Sequence, residues 1–317
     1  MIRDLAPADT GQVFRFLKGE FPEEERLLGT RPEGFEQVVR RIFRWDTRLL
    51  LGLLRAVGRP LYRFFVVAKG GTIVGTTLLT YPEGTGYVSM VVVDPTERRQ
   101  GHARHLLEAA RAATALRGRP FIALDVLEGN APARRLYESL GYRTLRTTGY
   151  FVRETPPPGG TAPAGRPTAP AGAVRPFRRS DARPLAEIAQ RSAPAEVQRV
   201  LPIRAREIVG SNWVSEILGM TSSAWVVDRG NGPEAHLSAS SSPATEAGHL
   251  SMPIVAETAD PAAVGALVGT AVDWLTARGV PRVVAMVPEA NARGRAALEA
   301  AGFRHAIGIL TLYRPVG

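Results

Sequence analysis

The sequence predicts an α+β chain in which one unit, a mixed and mostly antiparallel sheet with helices, occurs twice. Three observations predict it. Two apolar strand runs, Val88 to Val93 and Phe121 to Leu127, are separated by a helical stretch, which makes them parallel neighbours with a right-handed crossover. The chain also repeats itself. Ile2-Arg3 through Asp9 reappears as Val174-Arg175 through Asp181; Arg117-Gly118, Asn130, Arg134, Glu138 and Gly141-Tyr142 reappear as Arg278-Gly279, Asn291, Arg295, Glu299 and Gly302-Phe303. Repeats of this length are duplicated domains rather than a solenoid. Between the copies, residues 155–173 are rich in Pro, Ala and Gly and hold no core-forming side chain, so they read as a semi-extended linker. The expected organisation is a first domain at 1–153, a linker at 154–173 and a second domain at 174–317.

Each half starts with short helices, continues as a meander of strands and ends as strand–helix–strand–helix–strand. Phe64 to Lys69 and Thr72 to Tyr81 flank Gly70-Gly71, a hairpin signal. The run Val88 to Val93 ends at Asp94-Pro95. The basic segment Arg98-Arg99-Gln100-Gly101-His102-Ala103 then opens the helical stretch containing Leu106 to Ala110. A helix start offers unpaired N–H groups and a positive dipole end, so it holds an anion. Gly101 lets the backbone approach that anion closely and Ala103 keeps the next turn narrow, so a pyrophosphate fits. The segment matches neither the dinucleotide nor the nucleoside-triphosphate glycine pattern. Phe121 to Leu127 reads as the next buried strand, and Asn130 to Tyr142 as an Asn-capped helix ended by Gly141.

Composition narrows the function. With 317 residues the chain can build two cores, and without cysteine it has no disulfide, thiolate metal site or Cys nucleophile. Met1 to Pro7 lacks a signal-peptide core and Leu49 to Leu54 is far too short to span a bilayer, so the expectation is a soluble, cytoplasmic protein without membrane contact. The formal charge of +10 comes from scattered arginines with no aromatic-interleaved stripe, which argues against nucleic acid. His102 and His105 stand at the helix start without a third ligand nearby, and no metal is expected.

The loop Arg98-x-x-Gly101-x-Ala103 after a Val-Asp-Pro strand end, followed by Asn130-x-x-Ala-x-x-Leu-Tyr-Glu-x-x-Gly-Tyr142, resembles the two signatures of the GNAT superfamily of N-acetyltransferases over roughly residues 1–153. The resemblance implies an acyl-CoA N-acyltransferase fold: an α/β/α sandwich whose parallel strand pair splays apart to admit a pantetheine arm. It also implies acetyl-CoA as co-substrate, a small-molecule or peptide primary amine as acceptor, and direct transfer in a ternary complex.

The same resemblance suggests roles for residues. The backbone of Arg99, Gln100, Gly101, His102 and Ala103, with the Arg98 or Arg99 side chain, would hold the phosphates. Main-chain groups of Val91, Val92 and Val93, where the family carries a strand bulge, would polarise the thioester carbonyl. Tyr137 would be the general acid, since a phenol near pKa ~10 can protonate a thiolate whose thiol is near ~8.5; the other reading is a half-buried core tyrosine. Asp125 would be the base that takes the ammonium proton, through water; the other reading is a strand-end carboxylate paired with an arginine. Asn130 would touch the pantetheine or adenosine portion besides capping its helix. The acceptor is expected near residues 19–45, which hold Glu23-Glu24-Glu25 and Trp45, and near the second domain.

In the second copy the loop becomes Ala259-Asp260-Pro261-Ala262-Ala263-Val264, Asp125 becomes Met286 and Tyr137 becomes Leu298, which predicts a non-catalytic domain. The tandem would be a monomer or a homodimer. A different class, an acyl-CoA-binding regulator without turnover, would need neither Asp125 nor Tyr137.

Overall fold

The structure, a computed structural model, describes residues 1–17, 26, 29, 62–155, 173–209 and 219–317. The first half holds β1 (Ile2–Asp4), α1 (Thr10–Leu17), β2 (Tyr62–Lys69), β3 (Thr72–Thr80), β4 (Thr85–Val93), α2 (His102–Leu116), β5 (Phe121–Leu127), α3 (Ala131–Ser139) and β6 (Arg143–Glu154). The second holds β7 (Val174–Pro176), α4 (Ala182–Ser192), α5 (Ala195–Val200), α6 (Ala205–Val209), β8 (Thr221–Asp228), β9 (Pro233–Ser241), β10 (Ala247–Leu250), β11 (Ile254–Val255), α7 (Pro261–Thr276), β12 (Arg282–Pro288), α8 (Ala292–Ala300) and β13 (Arg304–Pro315).

The duplication reaches single hydrogen bonds. Arg3 grips Asp9 with two nitrogens, and Arg175 grips Asp181 in the same way. Each aspartate also accepts a backbone N–H three residues back, from Ala6 and from Arg178 at 2.7 Å. A Cβ on Gly86 would overlap Thr114 and one on Gly248 would overlap Leu275, so in both copies a bare strand residue lets a helix pack close. The predicted hairpin forms too: β2 and β3 pair antiparallel across Gly70 and Gly71, which take φ of 56° and 83°.

All the described strands form one sheet in the order β1-β2-β3-β4-β5-β13-β6-β12-β10-β9-β8-β7, with β11 on β9. The last strand of each half lies in the other half. β13 pairs with β5 from Ile309 opposite Leu127 to Pro315 opposite Phe121, and β6 pairs with β12 from Glu154 opposite Arg282 to Thr148 opposite Pro288. The two exchanged strands run antiparallel side by side at the centre, with Gly149 opposite Gly308. The cores are therefore shared. Leu310, Leu312 and Val316 pack among Leu106, Ile122, Leu124 and Tyr137 of the first half. Phe151 packs among Val283, Val287 and Leu298 of the second.

Helices cover both faces of the sheet. α2 and α3 bury Leu106, Leu107, Ala110 and Tyr137 on one face, and α7 and α8 do the same with Leu267, Val268, Leu275 and Leu298. α1 packs Val13 and Leu17 on the other face against Val66, Ile73 and Val92, while α4 packs Leu185 and Ile188 there against Val226. Among the described residues no helix is long and apolar enough to cross a membrane.

Candidate active site

The parallel pair opens as a wedge. β4 and β5 hydrogen-bond only over Thr85–Val88 and Phe121–Leu124; beyond these, β4 continues to Val93 and β5 to Leu127 without pairing each other. A bulge on the far edge of β4 explains the divergence. Thr76 faces Val92 but Leu78 faces Ser89, so β4 carries an extra residue opposite Thr77, and Met90 takes φ of 55°. Thr77 Oγ1 donates to the Ser89 carbonyl at 3.1 Å and holds the bulged backbone. The irregularity sits at Met90–Val91. Within the expected window of Val91, Val92 and Val93, only Val91 belongs to it; Val92 and Val93 pair regularly with Thr76 and Gly75.

The loop at the open end has the shape an anion needs. Arg99 and Gly101 both lie in the left-handed region, at φ of 67° and 82°. Gly101 is the N-cap of α2 and supplies no side-chain cap, so the first-turn amides of His102 and Ala103 have no capping side chain. Arg98 is held by a 3.0 Å bond from Nε to the Val93 carbonyl, while the Arg99 side chain is exposed. Two carboxylates, Asp94 and Glu97, border the loop. Lys69 pairs with Glu97 at 2.9 Å and His102 Nε2 lies 3.6 Å away, and the Lys69 ammonium holds the Glu97 carboxyl below the ordinary range. Among the described residues no group of three His, Asp or Glu side chains could hold a metal ion.

Asn130 caps α3, accepting from Ala133 N at 3.2 Å. Its counterpart Asn291 caps α8 likewise, but also donates to the Pro253 carbonyl at 2.7 Å; Asn130 makes only the cap bond among the described residues. Tyr137 is on the α2 face, 6% exposed, with its ring centroid 6.0 Å from that of Tyr142. Burial pushes its phenol up to about 12. The sign matters for an acid: a raised phenol stays protonated through the whole neutral and mildly alkaline range. We therefore expect kcat to show no loss between pH 8 and about 10 traceable to this residue. A wild-type alkaline limb that disappears in Tyr137→Phe would contradict this.

Asp125 is on the opposite face, exposed, and its partner is a threonine from the other half. Thr311 Oγ1 donates to Asp125 Oδ1 at 2.7 Å. No arginine forms an ion pair with it among the described residues, which removes the simplest structural reading. Tyr87 stands beside it; burial, and the negative charge of Asp125 next to it, hold that phenol far above its ordinary value. The second half also walls this face. Val200 of α5 packs with Ala123 and Tyr313, Arg199 lies 5.5 Å over the Phe121 ring, and Thr85 donates to the Val200 carbonyl. Of the expected acceptor region 19–45, all but Arg26 and Gly29 lies outside the described residues, Glu23-Glu24-Glu25 and Trp45 included.

Thr311, Arg146 and Tyr87 were not identified from sequence. The first two reach the site only through the exchanged strands, and no local pattern marks them. A cavity of about 200 Å³ lies elsewhere, between the halves, lined by Glu128, Gly149, Phe151, Glu289, Arg295 and His305 among others; no expected site residue borders it.

Residues 22–142 match the model of the acetyltransferase (GNAT) family. The match lies within the first half. Over its whole length the chain is similar to a tandem GNAT protein from the clavulanic acid biosynthesis pathway, with a TM-score of 0.68, 18% identity, and coverage of 100% of this chain and 98% of that one. A GCN5-related N-acetyltransferase from Sphaerobacter thermophilus gives a TM-score of 0.65 at 16% identity, covering 100% and 95%. At these identities the likeness shows the fold. A mycothiol acetyltransferase from Thermobispora bispora is 42% identical over 86 residues, which cover 25% of this chain and 29% of that protein.

The first half and its copy differ at the decisive helix start. α7 begins at Pro261, two residues ahead of where α2 begins when the copies are aligned on Asn130 and Asn291. Its N-cap Asp260 accepts the Ala262 N–H at 3.2 Å, so a carboxylate already sits on the amides that Gly101 leaves open. At the positions of Asp125 and Tyr137 stand Met286 and the fully buried Leu298.

Proposed function

We propose that the protein is an acetyl-CoA-dependent N-acetyltransferase that acetylates a primary amine in its first half, while the second half completes the sheet and walls the acceptor face. The observation that carries this reading is the contrast between two helix starts: left-handed, uncapped Gly101 beside an open strand pair, and self-capped Asp260 in the other copy.

The residues divide the work as follows. Amides of Gly101, His102 and Ala103 hold the pyrophosphate of acetyl-CoA, and Arg99 adds charge. Unpaired main-chain groups on the β5-facing edge of β4, around Val91, orient the thioester carbonyl and stabilise its oxygen as charge develops. Asp125, on the acceptor face, takes the ammonium proton. The freed amine then attacks, the N–C bond forms, the C–S bond breaks, and the nitrogen's surplus proton passes to solvent water. Tyr137, from the opposite face, donates its proton to the departing sulfur, and its phenolate is reprotonated from solvent. Burial raises the thiol's own pKa along with the phenol's, which keeps the two groups matched.

Calorimetry tests this directly. The expected result is one acetyl-CoA bound per chain; two would mean that the second copy also binds. Gly101→Asp is expected to weaken binding at least about 30-fold, or 2 kcal/mol. A side chain at φ of 82° is strained, and the new carboxylate faces the phosphates. Unchanged affinity would show that the cofactor lies elsewhere.

A further inference from the structure

The acceptor face carries a charged side chain, Arg146, that proton transfer does not use. Asp125, Thr311 and Arg146 stand directly opposite one another across β5, β13 and β6, so all three project from the same face. Two strand spacings put the backbone of Asp125 about 10 Å from that of Arg146, and no ion pair joins them among the described residues. Arg146 is half-buried, its Nε is shut off from solvent, and that nitrogen has no hydrogen-bond partner. A buried guanidinium donor without an acceptor is costly to keep and points to a group that arrives from outside.

The second copy is an internal control for this row. Its equivalent positions are Met286, Tyr150 and Ile307, which pair in the same way across β12, β6 and β13. Packing at these positions therefore needs no charge. Carboxylate, hydroxyl and guanidinium occur together only in the half whose helix start is open to an anion.

Resting on the N-acetyltransferase reading, we infer that the acceptor is an amine bearing a carboxylate, with its amino group at Asp125 and its carboxylate on Arg146. The guanidinium fork matches a carboxylate with two parallel N–H bonds, and Nε is one of the two donors in the side-on pairing. The long arginine side chain narrows the gap between backbones toward the spacing of the two groups in a small amino acid. Thr311 lies between them, committed to Asp125, and Tyr87 closes the amine end.

Thiol release from acetyl-CoA by the full-length protein tests the inference. The acceptors are glycine, β-alanine, 4-aminobutyrate and glutamate, each beside the same compound with its carboxylates converted to amides. At least one amino acid is expected to exceed its amide roughly 10- to 100-fold in kcat/KM, the range of a charge-assisted bidentate contact. Arg146→Met should collapse that preference toward unity, and Arg146→Lys should restore part of it. Amides accepted as well as acids by the wild type would overturn the carboxylate assignment and leave the acetyltransferase standing. A preference that survives Arg146→Met would overturn the role of Arg146. No release with any amine, despite bound acetyl-CoA, would overturn the parent reading and this one with it.

Discussion

Asp125→Asn is expected to lower kcat/KM for amine acetylation at pH 7 by about 100-fold or more, the low end of what a positioned general base contributes. Acetyl-CoA affinity and thermal stability should stay near wild type. The amide oxygen still accepts from Thr311, and the Met286 counterpart shows that the strand position packs without a carboxylate. The pH dependence separates a base from a structural residue. An aliphatic ammonium near pKa ~9–10 needs a base at neutral pH and loses its proton unaided above that range. The defect should therefore shrink as pH rises toward 10. A defect of constant size from pH 6 to 10 would assign Asp125 to positioning, and no defect would remove it from the site.

Leu312→Ala should destabilise the first half although the residue belongs to the second. Leu312 is fully buried among first-half side chains, and truncating a buried leucine costs about 3 kcal/mol. In urea the variant should show a lower midpoint at unchanged slope, with amide protection lost in α2 and β5 as early as in β13. The wild type should unfold in one transition, because neither half keeps a complete sheet once the other opens. Trp225 and Trp274 report on the second half and are well placed to follow it, being packed edge-to-face with ring centroids 6.0 Å apart. In a background with Trp45 replaced by Phe, separate transitions for tryptophan fluorescence and first-half hydrogen exchange would show that the exchanged strands do not couple the halves.

Much of the fold could be read locally because its signals are local. Gly70-Gly71 can only turn, Asn130 and Asn291 cap helices wherever the chain goes next, and a strand–helix–strand run has one favoured handedness. The helix start after Pro95 was legible for the same reason: a glycine that must adopt left-handed φ and a following apolar helix lie within a few residues. The bulge position was less legible. Several adjacent valines all suit a strand, and the register with Thr76 and Leu78 depends on β3 rather than on β4 itself.

What the sequence by itself determined is the duplicated unit, the glycine-opened helix start in one copy, and its closure by Asp260 in the other. These depend on residue types a few positions apart and on comparing one copy with the next. Only the tertiary structure decided which strand completes which sheet, and through it which residues share a face with Asp125. β6 and β13 are both 12-residue strands, and no local pattern says which lies beside β5; their exchange is fixed by packing over the whole sheet. That choice brings Thr311 to Asp125 and sets Arg146 two strands away, a juxtaposition of residues up to 186 positions apart for which no local rule exists.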